Sequence, residues 1–201
     1  MKLFFSPTSP YVRKCLATAD ELGIADRIEL LPSNAHPIQR DQEVIAANPL
    51  GKVPTLITDD GEALYDSRVI CEYLNAQAGG HLIPAQGPER WRTLTLQALG
   101  DGMLDALLLS RYEEVARPEA QRWPAWLDGQ LDKFNTSLRA LESRLDLLRG
   151  RTDLGALALG CAVWYADLRF PKLDWRTNHP GFAAWAAEFA KRPSMQRTWA
   201  L

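Results

Sequence analysis

Residues 48–74 read NPLGKVPTLITDDGEALYDSRVICEYL, and they combine a proline, a tight turn and a helix start. Pro54 directly precedes the apolar residues of a predicted strand. A proline is tolerated there only at a sheet edge or at the first strand position, because it donates no ladder hydrogen bond. The turn sequence Asp-Asp-Gly predicts a hairpin of strands 55–58 and 62–65. We therefore expect the N–H and C=O of Val53, on an edge backbone, to be available to a ligand.

A helix is predicted directly after this hairpin. Asp66 and Ser67 are residue types that cap helix N-termini, and apolar residues recur behind them at helical spacing. The N–H groups at a helix start favour binding of a carboxylate. Together with the open main chain of Val53, they predict a site for a peptide-like ligand with an acidic end.

The composition limits the classes of function. The chain has 201 residues, 46% hydrophobic and 24% charged, which is the balance of a soluble protein with one large core or two smaller ones. The formal net charge of −2 argues against a nucleic-acid partner. No apolar run approaches the roughly 20 residues that span a bilayer, and the N-terminus lacks a signal-peptide pattern. We expect a cytoplasmic protein without membrane association.

The N-terminal part predicts alternating strands and helices. Residues 2–5 form a strand, and a helix follows with Ser9 as its N-cap and Pro10 at its first position, where a missing N–H costs nothing. A strand at 28–31 and a short helix at 41–47 precede the hairpin. The resulting order, βαβαββα, has a parallel first pair of strands and an antiparallel last pair. This order is the thioredoxin-like arrangement.

The rest of the chain contains only helical patterns. We predict a thioredoxin-like α/β domain at 1–78, a linker rich in Gly and Pro at 79–89, and an all-α helical bundle at 90–201. Leucines at alternating spacings of four and three predict a long helix at 124–149, either a core helix or a coiled coil. The run 154–164 is apolar on nearly every side, which is typical of a helix at the centre of a domain.

The cysteines and histidines indicate no metal or redox motif. Cys15, Cys71 and Cys161 lie among apolar neighbours without a Cys-x-x-Cys pair, so we interpret them as buried small hydrophobes. The three histidines are scattered, and we predict no metal site.

Several short motifs in a fixed order resemble the cytosolic glutathione transferase family over nearly the whole chain. The likeness is greatest to its serine-type classes and to bacterial stress-related members. The matching motifs are SPTSPYVR at 6–13, NP at 48–49, KVP at 52–54, DS at 66–67, HP at 179–180 and RPS at 192–194.

This resemblance implies that Ser9 is the catalytic residue and that it holds the sulfur of glutathione. A free thiol has a pKa of about 8.5, and a helix N-terminus with a hydroxyl donor lowers it, so the bound thiol becomes a nucleophilic thiolate. Ser6 and Thr8 are alternatives for the same role. Ser9 acting only as a helix cap also remains open.

The resemblance also assigns the contacts to the tripeptide. The main chain of Val53, followed by a cis Pro54, pairs with the cysteinyl backbone of glutathione. Ser67 and the helix amides hold the γ-glutamyl carboxylate, while Asp66 faces its ammonium group.

Two further contacts are implied, together with an acceptor pocket between the domains. Lys52, or alternatively His36, meets the glycine carboxylate. Asp101 reaches the γ-glutamyl amine of the neighbouring subunit in a homodimer. For Lys52 and Asp101 a plain surface or structural role is equally open. The acceptor pocket is expected to be lined by Tyr11, Met103, Tyr112, Trp164 and Leu168.

The implied function is a glutathione S-transferase that adds the thiolate of its co-substrate glutathione to small hydrophobic electrophiles, without a metal. One alternative is a non-catalytic stress or regulatory protein of the same fold. Another is a glutathione-dependent disulfide reductase, which requires a cysteine where this chain has Ser9.

Overall fold

The computed structural model of the protein describes residues 1–198, which fall into two compact units. Unit 1 contains residues 1–91 together with residues 193–198, and unit 2 contains residues 92–192. Residues 193–198 therefore group with unit 1, although the sequence assigns them to the helical domain. No helix within residues 1–198 has the length and apolar character required to span a bilayer.

Unit 1 contains a four-stranded sheet and confirms the predicted βαβαββα order. The strands lie in the order β2-β1-β3-β4, with β1 and β2 parallel and the other pairs antiparallel. Its elements are β1 (Lys2–Phe5), α1 (Pro10–Glu21), β2 (Glu29–Pro32), α2 (Gln42–Ala47), β3 (Thr55–Ile57), β4 (Ala63–Leu64) and α3 (Ser67–Gln77).

The interpretation of the backbone around Val53 as a sheet edge is wrong, because β3 lies between β1 and β4. On one side pairing stops where Thr55 faces Phe4, and on the other it begins only where Leu56 faces Leu64. Pro54 thus precedes the first paired residue, where its missing N–H costs no ladder hydrogen bond. The N–H and C=O of Val53 are therefore open because they precede the paired residues of a central strand.

The last helix of the described chain is α8 (Pro193–Arg197), and it packs against α1 within unit 1. The buried side chain of Arg13 donates to the carbonyl oxygen of Met195 at 2.8 Å. On the surface, Arg197 forms an ion pair with Asp20 at 2.6 Å. These contacts attach the C-terminal helix to the helix that carries Ser9.

Unit 2 is helical, as predicted. Helix α6 is buried along nearly its entire length. This burial confirms its predicted central position. The helices that contribute to the unit are α4 (Gly87–Val115), α5 (Pro124–Glu142), α6 (Leu154–Arg169) and α7 (Pro180–Phe189).

The predicted helix at 124–149 is too long, because α5 ends at Glu142. The Ser143 hydroxyl donates to the carbonyl oxygen of Ala140 at 2.9 Å, a local bond that competes with helix continuation. The Glu142 carboxylate then accepts the N–H groups of Gly181 and Phe182 at the start of α7, at 3.0 and 2.7 Å. The buried face of α5 identifies it as a core helix of the unit rather than a coiled coil.

Asp153 caps α6 and is held in place by a second set of partners. Its Oδ1 accepts the N–H of Ala156 at 3.1 Å. Its Oδ2 accepts the hydroxyl of Thr93 at 2.8 Å and pairs with Arg151. The side chains of Thr93 and Arg151 therefore fix the cap, although Ala156 stands where a capping box has its reciprocal carboxylate.

Helices α4 and α6 approach closely at Gly100. A Cβ atom at this position would lie 2.8 Å from Ala158 and 2.9 Å from the Leu159 nitrogen. Gly102 lies on the same helix and has open space around the corresponding position.

We expect Gly100→Ala to lower the free energy of unfolding by about 1–3 kcal/mol, because the added methyl group overpacks the contact with α6. Gly102→Ala is the matched control and should raise it by up to about 1 kcal/mol, since alanine is the better helix former. Chemical denaturation measures both. Equal effects of the two substitutions would contradict the close approach.

Candidate functional site

Ser9 is fixed at the start of α1 by bonds to its side chain and its main chain. Its Oγ accepts the N–H of Val12 at 3.3 Å, and its own N–H donates to the carbonyl oxygen of Ser6 at 3.0 Å. Pro10 follows at the first helical position, as predicted. A hydroxyl that accepts one hydrogen bond still has a proton to donate. Neither Ser6 nor Thr8 caps the helix.

The start of α1 carries a positive field. No acidic residue lies in its first turn, and the buried cation of Arg13 follows one turn after Ser9. A helix N-terminus favours a negative charge, and a cation strengthens this preference. Tyr11 is half-buried in the same turn, and its predicted contact with an acceptor stays a prediction.

The main chain at Val53 has the features that the sequence predicts. The Val53–Pro54 peptide bond is cis, which confirms that expectation. Val53 is half-buried, and within residues 1–198 neither its N–H nor its C=O has a hydrogen-bond partner. These two groups are therefore available to an extended peptide.

Asn48 holds the loop that presents Val53, a role that we did not predict. This side chain is 1% exposed. Its Nδ2 donates to the Lys52 carbonyl oxygen at 3.2 Å and to Thr55 Oγ1 at 2.9 Å, while its Oδ1 accepts the N–H of Leu50 at 3.0 Å. The sequence signal for this role is an Asn-Pro pair between a helix and a strand.

The start of α3 lies next to this loop in the sheet register. In the pairing of β3 with β4, Leu56 faces Leu64. If this antiparallel register continued toward lower numbers on β3, position 53 would face Ser67, but the chain at Ser67 already forms the first turn of α3. Asp66 caps α3 by accepting the N–H of Arg68 at 2.9 Å. Ser67 is 2% exposed, and an α-helix start leaves N–H groups free for an anion.

Buried cysteine side chains form contacts between helices α1 and α3 in unit 1. The Sγ atom of Cys15 lies 3.9 Å from the carbonyl oxygen of Ser67 and 3.8 Å from the Sγ atom of Cys71. All three cysteines of the chain are buried and form no disulfide bond, which confirms their interpretation as core residues. Within residues 1–198, no cluster of His, Cys, Asp or Glu side chains is arranged to hold a metal ion.

The three remaining predicted glutathione contacts have different environments. Lys52 is exposed to solvent. His36 lies on an exposed loop, where its Nδ1 accepts the N–H groups of Ile38 and Gln39 at 3.2 and 3.1 Å. Asp101 is 1% exposed in the single chain, and its contact with a neighbouring subunit stays a prediction.

The predicted acceptor residues of unit 2 differ in exposure. Met103 and Trp164 are buried, Leu168 is 40% exposed, and Tyr112 is half-buried. Burial raises the pKa of the Tyr112 phenol. Tyr165, which the sequence did not identify, is 2% exposed, and burial likewise raises the pKa of its phenol. The uniformly apolar pattern of α6 gave no signal that distinguishes this tyrosine from core residues.

The fold and the site geometry define a protein that presents an open main chain and a helix-start hydroxyl from a thioredoxin-like unit. The N-terminal domain family of the glutathione S-transferases matches residues 8–77, and the C-terminal domain family matches residues 124–188. The chain belongs to the glutathione S-transferase family.

Similar proteins support this assignment over the full length of the chain. An uncharacterised GST-like protein of Escherichia coli K12, YibF, is 37% identical over 98% of both chains. A glutathione transferase family member of Pseudomonas fluorescens Pf-5, solved with bound glutathione, has 46% identity and a TM-score of 0.96, covering 98% of this chain and 97% of that one. A structure from the same organism with bound S-(propanoic acid)-glutathione has 44% identity and a TM-score of 0.92, with complete coverage of both chains.

We expect Asn48→Ala to lower the free energy of unfolding by about 2–3 kcal/mol, because it removes the buried hydrogen bonds that hold the loop before β3. Thermal and chemical denaturation measure the loss. Asn178→Ala is the control, since Asn178 is exposed and should change stability by less than about 0.5 kcal/mol. Equal stabilities of the two variants would show that Asn48 does not hold the loop.

Proposed function

We propose that this protein is a glutathione transferase that binds reduced glutathione on unit 1 and adds its thiolate to electrophilic, largely apolar small molecules. The observation that carries the proposal is the open main chain of Val53 in a chain that also presents Ser9 at a helix start. A solved relative with 46% identity contains bound glutathione, which supports the same ligand here.

The tripeptide lies along the loop before β3. Its cysteinyl N–H and C=O pair with the C=O and N–H of Val53, which have no partner within residues 1–198. Its γ-glutamyl carboxylate binds the N–H groups at the start of α3 and the hydroxyl of Ser67, and its ammonium group faces Asp66. The glycine carboxylate meets Lys52.

Ser9 prepares the sulfur for attack. Its hydroxyl donates to the sulfur, and the N-terminal field of α1 favours the charged form, so the pKa of the bound thiol falls below its free value of about 8.5. The thiolate then forms a bond to the electrophilic carbon. In a substitution, the leaving group departs with the bonding electrons of the broken bond, and the thiol proton has already passed to solvent.

A relative with a glutathione thioether supports transfer chemistry. The neighbour that is 44% identical to this chain contains S-(propanoic acid)-glutathione, in which the sulfur carries an added carbon chain. A site that accommodates such an adduct has room for an acceptor next to the sulfur.

A second candidate function is a non-catalytic glutathione-binding protein. The hydrogen bond from the Val12 N–H to the Ser9 Oγ favours it, because a simple helix cap makes this same bond. Glutathione binding without turnover of an aromatic halide would identify this candidate. A disulfide reductase has less support, because all three cysteines of the chain are buried.

The proposal includes a homodimer. Two exposed apolar side chains of unit 1, Val69 and Trp91, are 48% and 66% exposed and are suited to burial against a second copy. Asp101 of one chain would then meet glutathione in the other. Sedimentation velocity should show a dimer that Trp91→Glu weakens. A wild-type monomer at assay concentration would exclude this part of the proposal.

We expect Ser9→Ala to lower kcat/KM for an aromatic halide by about ten- to a hundredfold, because it removes a hydrogen bond to a charged sulfur. The affinity for glutathione should change much less, since the tripeptide is held mainly by its main chain and its carboxylates. The ultraviolet absorbance of the thiolate, followed against pH, should show that the pKa of the bound thiol has risen.

The substitution Ser9→Asp separates the role of Ser9 as a helix cap from its role as a hydrogen-bond donor to the sulfur. Aspartate caps a helix as well as serine does, so this variant should fold as stably as the wild type. Its negative charge opposes the thiolate, and turnover should fall at least as far as in Ser9→Ala. Wild-type turnover in Ser9→Asp would show that Ser9 acts only as a cap.

A further inference from the structure

Two cysteines of unit 1 face each other where helices α1 and α3 pack together. Cys15 belongs to α1 and Cys71 to α3, and both side chains are 0% exposed. Their Sγ atoms lie 3.8 Å apart, and the S–H of Cys71 donates to the sulfur of Cys15. Because 56 positions separate the two residues, their spacing in the sequence does not reveal the contact. We call these two residues the cysteine pair.

Polar groups around the cysteine pair give its two thiols different surroundings. The S–H of Cys15 donates to the carbonyl oxygen of Ser67 at 3.9 Å. The hydroxyl oxygen of Thr18 lies 3.4 Å from the Sγ atom of Cys71 and also donates to the Lys14 carbonyl oxygen at 2.8 Å. A hydroxyl rotates freely, so it can turn toward the sulfur of Cys71 when that thiol loses its proton. Cys71 is therefore the thiol whose ionised form has a hydrogen-bond donor.

The two sulfur atoms are close enough to be joined by small movements. The sulfur atoms of a disulfide lie about 2.05 Å apart, so those of the cysteine pair need to approach by about 1.8 Å. Side-chain rotation and a slight shift of the two helices supply this movement. A thiol reacts with a peroxide as its thiolate, and it is unreactive while it stays buried. Oxidation of the pair therefore requires local opening of α1 or α3.

This local opening is coupled to the proposed glutathione site. Helix α1 begins directly after Ser9, and α3 begins at Ser67. These are the two helix starts to which the proposed function assigns the sulfur and the γ-glutamyl carboxylate. A ligand that binds only the closed arrangement lowers the population of the open one. Bound tripeptide should therefore protect the cysteine pair.

We propose that the cysteine pair forms a reversible disulfide when hydrogen peroxide oxidises the protein. The thiolate of Cys71 attacks a peroxide oxygen, the O–O bond breaks, one water leaves, and Cys71 becomes a sulfenic acid. The thiolate of Cys15 then attacks the sulfur of Cys71, the S–O bond breaks, and a second water leaves. In total, two thiols lose two electrons and two protons, and these reduce one peroxide. Protection by glutathione is the second part of the inference, and it rests on the proposed function.

The first test identifies the disulfide in the native protein. Wild-type protein is treated with hydrogen peroxide, its remaining thiols are alkylated, and it is digested with trypsin without a reductant. Mass spectrometry should find the peptide 15–27 linked to the peptide 69–90, and dithiothreitol should separate them. The peptide 152–169, which contains Cys161, should be alkylated and unlinked.

Two variants provide matched controls. Cys161→Ala retains the cysteine pair and should form the same linked peptide as the wild type. Cys71→Ala should form none, and a circular dichroism spectrum checks that it is folded.

The second test measures protection by a ligand that cannot take part in thiol exchange. S-methylglutathione has no free thiol. At ten times its Kd, determined by calorimetry, it should slow formation of the linked peptide by about tenfold, because only the open form reacts.

The outcomes separate this inference from the proposed function. Absence of the linked peptide in native protein, or further oxidation of Cys71 while Cys15 is still alkylated, would overturn the disulfide. A link that forms only in urea would overturn it as well. A native link without protection by S-methylglutathione would support the disulfide and reject the placement of the tripeptide at the two helix starts. The first test uses no tripeptide, so it decides the disulfide even if the proposed glutathione site fails.

Discussion

The main-chain groups of Val53 remain open because strand pairing ends before them on both sides of β3. On one side β1 stops where Phe4 faces Thr55, and on the other the short strand β4 gives way to α3. A backbone N–H and C=O in a partly buried position have a strong requirement for hydrogen bonds. A tripeptide with its own main chain meets this requirement, whereas a small apolar molecule does not.

The surroundings of Val53 are arranged to keep it in place. The buried amide of Asn48 fixes the loop before β3 through the Lys52 carbonyl group and the Thr55 hydroxyl group. Near its start, helix α1 is held by α8 through the hydrogen bond from Arg13 to the carbonyl oxygen of Met195. Ligand-binding groups placed on such supported elements lose little conformational entropy when a ligand binds.

The sequence predicted the features that depend on local chemistry. Ser9 before Pro10, Pro54 before a strand, and Asp66 before α3 each follow from capping or backbone rules that involve near neighbours. The features that it missed depend on distant contacts. Whether β3 is central or at an edge depends on pairing with β1, and the burial of Tyr165 depends on packing around α6 that the uniformly apolar pattern of this helix does not reveal.

Calorimetric titration of the intact protein with reduced glutathione tests the proposed binding mode most directly, particularly when it is repeated with S-methylglutathione. Both tripeptides should bind at one site per chain in the millimolar range or below, because both offer the same main chain and carboxylates to unit 1. Only reduced glutathione should release a proton, detected as a dependence of the heat on the buffer, because only its thiol ionises beside Ser9. Absence of saturable binding of either tripeptide at millimolar concentration would contradict the proposed site, and binding without proton release would contradict the role of Ser9.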